Sequence, residues 1–151
     1  MSGSYFHSET GSRFSPDYRG GVSAARGFGH NLGANSHGVF VEANGDAVYI
    51  SRFENDFLFY MQSKSGFTLP KAGSLQMQLY WNLNATTDLR RLYWANTFDN
   101  GPGVRFHFDG MPPSLTFSVN ALRGRYLLNK ENPLGRRYTD LRAGFWYAFT
   151  H

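Results

Sequence analysis

The longest run of strict two-residue alternation, residues 74–86, constrains the fold of this chain more than any other feature. Leu75, Met77, Leu79, Trp81, Leu83 and Ala85 fall on one parity, and Gln76, Gln78, Tyr80, Asn82, Asn84 and Thr86 on the other. Period two marks a strand with two unlike faces. The run outlasts the ~5–6 residues usual in a globular sheet and suits the ~9–11 with which a tilted strand crosses a bilayer. Its polar parity carries amides, a phenol and a hydroxyl, but no Lys or Glu. A water-facing strand normally shows charges there, which guard against edge pairing. The pattern therefore predicts an apolar face turned to lipid and a polar face turned into a lumen.

The same pattern recurs. Val104, Phe106 and Phe108 alternate with Arg105, His107 and Asp109, and Leu115, Phe117 and Val119 with Thr116, Ser118 and Asn120. Near the end, Leu141, Ala143, Phe145, Tyr147 and Phe149 alternate with Asp140, Arg142, Gly144, Trp146 and Ala148. Asn44-Gly45 reads as a two-residue hairpin turn, and further turns are expected at residues 69–73, 99–102, 110–113 and 129–135. The reading is all-β. It predicts an antiparallel up-and-down β-barrel, or the C-terminal part of a larger outer-membrane β-barrel, of about eight to ten strands. One domain is expected over residues 1–151, with residues 1–19 as a frayed or incomplete edge. Leu75, Met77, Leu79, Trp81, Leu83, Phe106, Phe108 and Phe117 are the lipid-facing candidates. Gln76, Gln78, Tyr80, Asn82, Arg105, His107 and Arg142 are the lumen candidates. Arg123 interrupts the apolar parity before it, so a bulge or the membrane boundary is expected near residues 121–124.

Composition narrows the classes. Aromatics reach 17% and charged residues only 17%, below the roughly one quarter usual in soluble domains. No stretch approaches the ~18 consecutive apolar residues of a spanning helix. The basic set is 12 Arg against three Lys, spread along the chain without a long basic run, which argues against a nucleic-acid partner. Cysteine is absent, so no disulfide framework is available. The first residues, Met1-Ser-Gly-Ser-Tyr5, show neither a basic nor an apolar leader segment, so a chain bound for the outer membrane would be a fragment or a C-terminal domain.

Chemical motifs are weak. Gly27-Phe-Gly29-His-Asn-Leu-Gly33 has the wrong glycine spacing for a dinucleotide loop and reads as a turn or a glycine-rich strand. The five histidines lack metal-ligand spacing, and no cofactor is expected. A His107–Ser118–Asp109 set is the loose candidate for a catalytic site, with nothing to position it, and the chain reads as no enzyme. Asn84-Ala85-Thr86 fits a glycosylation sequon of the kind that arises by chance, and Asp99-Asn100-Gly101 lacks the other calcium-loop ligands. Arg105, Arg123 and Arg142 with Asp88, Asp109 and Asp140 form either a lumenal ion-pair ladder or ordinary charges near turns.

Five stretches carry a family resemblance: Ser51-Arg-Phe-Glu-Asn-Asp-Phe57, Tyr93-Trp-Ala-Asn96, Gly101-Pro-Gly-Val-Arg-Phe106, Leu122-Arg-Gly-Arg-Tyr126 and Asp140-Leu-Arg-Ala-Gly-Phe-Trp-Tyr-Ala-Phe149. Over most of its length the chain resembles the C-terminal domain of the NfrA-type bacteriophage adsorption protein A family. The resemblance implies an outer-membrane barrel that serves as a phage receptor, with a native role in exopolysaccharide export. The implied partners are outer-membrane lipid, a bacteriophage tail protein, an exopolysaccharide and a glycosyltransferase. Phe145, Tyr147 and Phe149 match the alternating aromatic last strand that assembly machinery reads, set two residues before the end. The alternative is a soluble β-barrel or sandwich that binds a small apolar or glycan ligand, with Trp81, Trp94 and Trp146 as stacking candidates.

Overall fold

The computed structural model describes residues 2–6, 13–17, 19–30, 32, 37–51, 56–108, 115–128 and 135–146, with side chains from residue 19 to residue 145. Short strands β1 (Ser2–Phe6) and β2 (Arg13–Asp17) pair with each other in a two-stranded sheet, within the stretch expected to be a frayed edge. The main body is one seven-stranded antiparallel sheet in strict up-and-down order. Its strands are β3 (Arg19–Gly29), β4 (Gly38–Ile50), β5 (Asp56–Thr68), β6 (Leu75–Asp88), β7 (Thr97–Phe108), β8 (Thr116–Tyr126) and β9 (Arg137–Trp146). A 3-10 turn, Tyr93–Ala95, stands between β6 and β7. The chain is thus all-β and antiparallel. Among the described residues no pairing joins β3 to β9, so the sheet is not closed into a barrel.

Each ladder keeps one register throughout, so parity assigns every side chain to a face. The polar parity is the covered one. Gln78 is 0% exposed and Gln76, Asn82 and Asn84 are 2–3% exposed, whereas their neighbours Leu79 and Trp81 are 48% and 49% exposed. No second layer among the described elements packs on this sheet. The cover therefore comes from the sheet's own curl, which brings the side chains of non-adjacent strands together on a concave polar face.

Glycines on that face let it curl. A Cβ at Gly66 would stand 2.0 Å from the Leu79 carbonyl oxygen, and one at Gly101 2.0 Å from that of Ala121. The Tyr80 side chain lies against Gly66 and Gly103. Phe40 and Tyr80, on the strands flanking Gly66, meet edge to face at 6.3 Å, and Tyr80 crosses Gly103 to donate to Asn120 Oδ1 at 2.9 Å. Phe40 and Leu122, each 0% exposed, are the large apolar groups buried on the concave face.

Two sequence expectations are corrected, and one of the two alternatives given for residues 121–124 is removed. Asn44-Gly45 is no turn: β4 runs straight through it, paired on both sides with Ala25–Ala24 and Gln62–Met61. Two long neighbouring strands outweigh a local turn preference. Residues 99–102 likewise lie inside β7, where Pro102, lacking an N–H, coincides with the gap in the β7–β8 pairs between Asn100↔Arg123 and Gly103↔Asn120. No bulge occurs at residues 121–124, because the β8–β9 register continues unbroken from Thr116 to Arg125. The turn at residues 69–73 is present, with Gly73 at φ +61° and paired Ala72 and Leu75. The turn at 110–113 lies outside the described residues, and of that at 129–135 Gly135 is described, at φ +80°.

Candidate functional site

The concave face gathers nearly all the ionic and amide chemistry of the sheet. Every acidic residue of the seven strands, Glu42, Asp46, Asp56, Asp88, Asp99 and Asp140, has concave parity, as do Lys64, Arg105 and Arg142. The lumen candidates Gln76, Gln78, Tyr80, Asn82, Arg105, His107 and Arg142 all stand on this face. Leu75, Met77, Leu79, Trp81, Leu83, Phe106, Phe108 and Phe117 stand on the convex one, where Phe106 stacks on Phe117 at 5.8 Å.

Two networks tie the face together. In the first, Arg105 donates through Nη2 to Glu42, three strands away, and through Nε to Gln78 Oε1 at 2.5 Å. Gln78 donates to Thr68 Oγ1 at 2.7 Å and to the His30 carbonyl at 3.1 Å, and Thr68 donates to the same carbonyl, which anchors the end of β3. The guanidinium also lies 5.3 Å from the Phe40 ring and 5.8 Å from that of Tyr80, within cation–π range. In the second, Tyr60 and Gln62 donate to Asn84 Oδ1, and Asn84 Nδ2 donates to Asp99 Oδ1. Asp99 Oδ2 then accepts from Tyr138 and from Arg142, both at 2.9 Å. A cavity of about 520 Å³ remains between Ala25 and Gly27 on one side and Arg105, Thr116 and Ser118 on the other, floored by Glu42, Asn44, Gln62 and Lys64. Asn82 Oδ1 is a buried acceptor with no partner among the described residues.

These partners revise the ion-pair ladder. Among the described residues Arg105 pairs with Glu42, Arg142 pairs with Asp99 as well as Asp140, and Arg123 points out of the convex face, while Asp109 lies outside the described residues. The two local turn signals hide Glu42 and Asp99 from a reading of the sequence. Treating residues 38–50 as one strand exposes the signal, since Glu42, Asn44 and Asp46 share a parity against Val41, Ala43 and Ala47. His107 Nδ1 lies 3.1 Å from the Leu115 carbonyl oxygen, while Asp109, the third member of the loose catalytic candidate with Ser118, is outside the described residues. Asn84, 3% exposed inside β6 and bonded on both amide atoms, is no accessible glycosylation acceptor. Trp81 points outward from mid-strand and Trp94 sits at the sheet's end, so they do not form one stacking site; the Trp146 side chain is outside the described set. Phe145 is 76% exposed on the convex face, while Tyr147 and Phe149 lie outside the described residues.

At the end of the sheet where β6 turns into β7, residues 89–96 are built around Asp88. Its carboxylate accepts from the Leu92 backbone N–H at 3.0 Å and from Asn96 Nδ2, while Asn96 Nδ2 also donates to the Leu92 carbonyl at 2.8 Å. Asp56 accepts from the Arg90 N–H, and Tyr93 packs on Tyr126, which packs on Tyr138. Replacing Asp88 with Ala strands several polar groups, a loss of about 2 kcal/mol of local stability. Trypsin cleavage after Arg90 and Arg91 should then accelerate about tenfold or more while the sheet persists.

Comparison with protein-family models, curated proteins and solved structures finds no match for this chain.

Proposed function

We propose that this chain is a non-enzymatic outer-membrane β-barrel domain that serves as the adsorption receptor of a bacteriophage. The observation that supports the membrane reading is the inversion of its faces. Carboxylates and amides are covered on the concave side, while Leu79, Trp81, Leu83, Met61 and Leu141 are exposed on the convex side. In water a face with so many exposed large apolar side chains is unfavourable, and in lipid it is the expected arrangement. The receptor role rests on the family resemblance. The structured turn at residues 89–96, with Trp94 45% exposed, offers a rigid aromatic anchor of the kind that dominates protein interfaces.

The native role in exopolysaccharide export is proposed to be display at the membrane rather than conduction. The Glu42–Arg105 contact crosses the concave face, and a polymer would have to displace it. The test is migration in SDS gels before and after boiling. A faster unboiled band that forms only in detergent supports the membrane reading, and a monodisperse protein in plain buffer removes it. On cells displaying the folded domain, Trp94→Ala should slow phage adsorption by about tenfold or more. Unchanged adsorption would exclude this rim as the contact.

A further inference from the structure

We propose that Arg123, Arg125 and Arg137 form a binding site for the anionic phosphate of a lipid headgroup, an inference that rests on the membrane reading above. All three side chains have convex parity and are exposed. Convex positions of the seven strands hold no acidic residue, and Arg26 on β3 is the one other charged residue among them. On β8 the outward series runs Phe117, Val119, Ala121 and then Arg123, Arg125, so the apolar band stops where the arginines begin. They lie at the same end of the sheet as the Trp94 turn. Aromatic residues and arginines at one depth mark the headgroup level of a membrane protein.

The arrangement suits an anion. Arg125 is directly opposite Arg137 in the β8–β9 register, and Arg123 is diagonal to Arg137. Like charges placed opposite each other on a sheet repel unless an anion lies between them. None of the three has an ion pair among the described residues; Arg125 rests 5.9 Å from the Phe98 ring. A depression of about 280 Å³ is lined by Arg123, Gly124, Arg137, Tyr138 and Thr139. The planar guanidinium fork matches a phosphate in two-point contact, which an ammonium does not. The nearby acids Asp99 and Asp140 are engaged by Arg142 on the opposite face, so among the described residues this cluster has no compensating carboxylate.

The test is native mass spectrometry of the detergent-folded chain titrated with phosphatidylglycerol or with phosphatidylcholine, whose phosphate is neutralised by its own choline. The chain should retain phosphatidylglycerol in preference. R123Q/R125Q/R137Q should weaken that retention roughly one hundredfold, about fivefold for each arginine, and the triple lysine variant should fall between. Because the three side chains are exposed, each variant should keep its heat-modifiable band, which reports folding separately. R123Q alone supplies a second reading if the triple variant does not fold. Equal retention of both lipids, or no loss in the glutamine variants, overturns the site. Displacement of the lipid by an equal concentration of inorganic phosphate would show a free-anion site and overturn the lipid assignment. A chain that is monodisperse without detergent removes the membrane reading instead, and the two failures are thereby distinct.

Discussion

Leu79→Arg is expected to abolish assembly of the folded, heat-modifiable form in lipid vesicles. Leu79 lies near the middle of β6, 48% exposed on the convex face, between Phe67 on β5 and Val104 on β7. A guanidinium at that depth loses its hydration with no partner in reach, at a cost of about 2–4 kcal/mol at a bilayer midplane. The same substitution at Thr87, also convex but at the end of β6, should cost about 1 kcal/mol or less. Folding yield into vesicles compares the two. If Leu79→Arg and Thr87→Arg fold alike, the convex face does not meet hydrocarbon. Soluble, folded Leu79→Arg protein in plain buffer would mean the same.

Gly66→Val is the second large effect. Gly66 has concave parity, and its missing Cβ is the space over which Phe40 and Tyr80 converge. An added Cβ would stand 2.0 Å from the Leu79 carbonyl oxygen and 2.6 Å from the Tyr80 Cα, and backbone atoms of a paired strand cannot swing aside as a side-chain tip can. The strands must separate or the curl must relax, at about 3 kcal/mol, the upper end of overpacking. Gly45→Val is the contrast. Gly45 points to the convex face with its nearest neighbour, the Tyr60 carbonyl oxygen, 3.6 Å from an added Cβ, so valine should stabilise the strand by about 0.5–1 kcal/mol. Urea unfolding midpoints of the two variants in detergent should move in opposite directions. A loss at Gly45 would instead mean that residues 44–45 need the freedom of a turn.

The strand β6 is legible in the sequence almost to its ends, because thirteen residues of unbroken alternation leave no other structure available. The extent of β4 and β7 is not legible. Asn44-Gly45 and the run from Asp99 to Pro102 are strong turn signals taken alone, and what overrides them is pairing with long neighbours that local sequence does not contain. The same signals conceal the chemistry of the site, since Glu42 and Asp99 cannot be placed on a face until their strands are continuous. The partner of Arg105 is hidden for a further reason. Glu42 stands 63 residues earlier and three strands away, and their contact depends on how tightly the sheet curls. The Asp88 knot escapes notice because its carboxylate acts on the Leu92 backbone N–H and the Asn96 amide of a turn with no glycine or proline to announce it. By contrast, the change from apolar to basic at Arg123 is visible as a boundary, and the continuous register removes the bulge that competed with it.

The direction of the two edge strands has a topological consequence. In an up-and-down sheet each strand reverses the one before it, so β3 and β9, six steps apart, run the same way. Joining them directly would form a parallel seam, which an antiparallel ring does not contain. Two copies related by an axis normal to the membrane would meet β9 to β3 and form the same forbidden seam twice. Copies related by an axis in the membrane plane would pair antiparallel, but one would then be upside down. Parity thus selects the closure: any antiparallel ring that includes this sheet, with all copies facing one way, sets an odd number of further strands between β9 and β3.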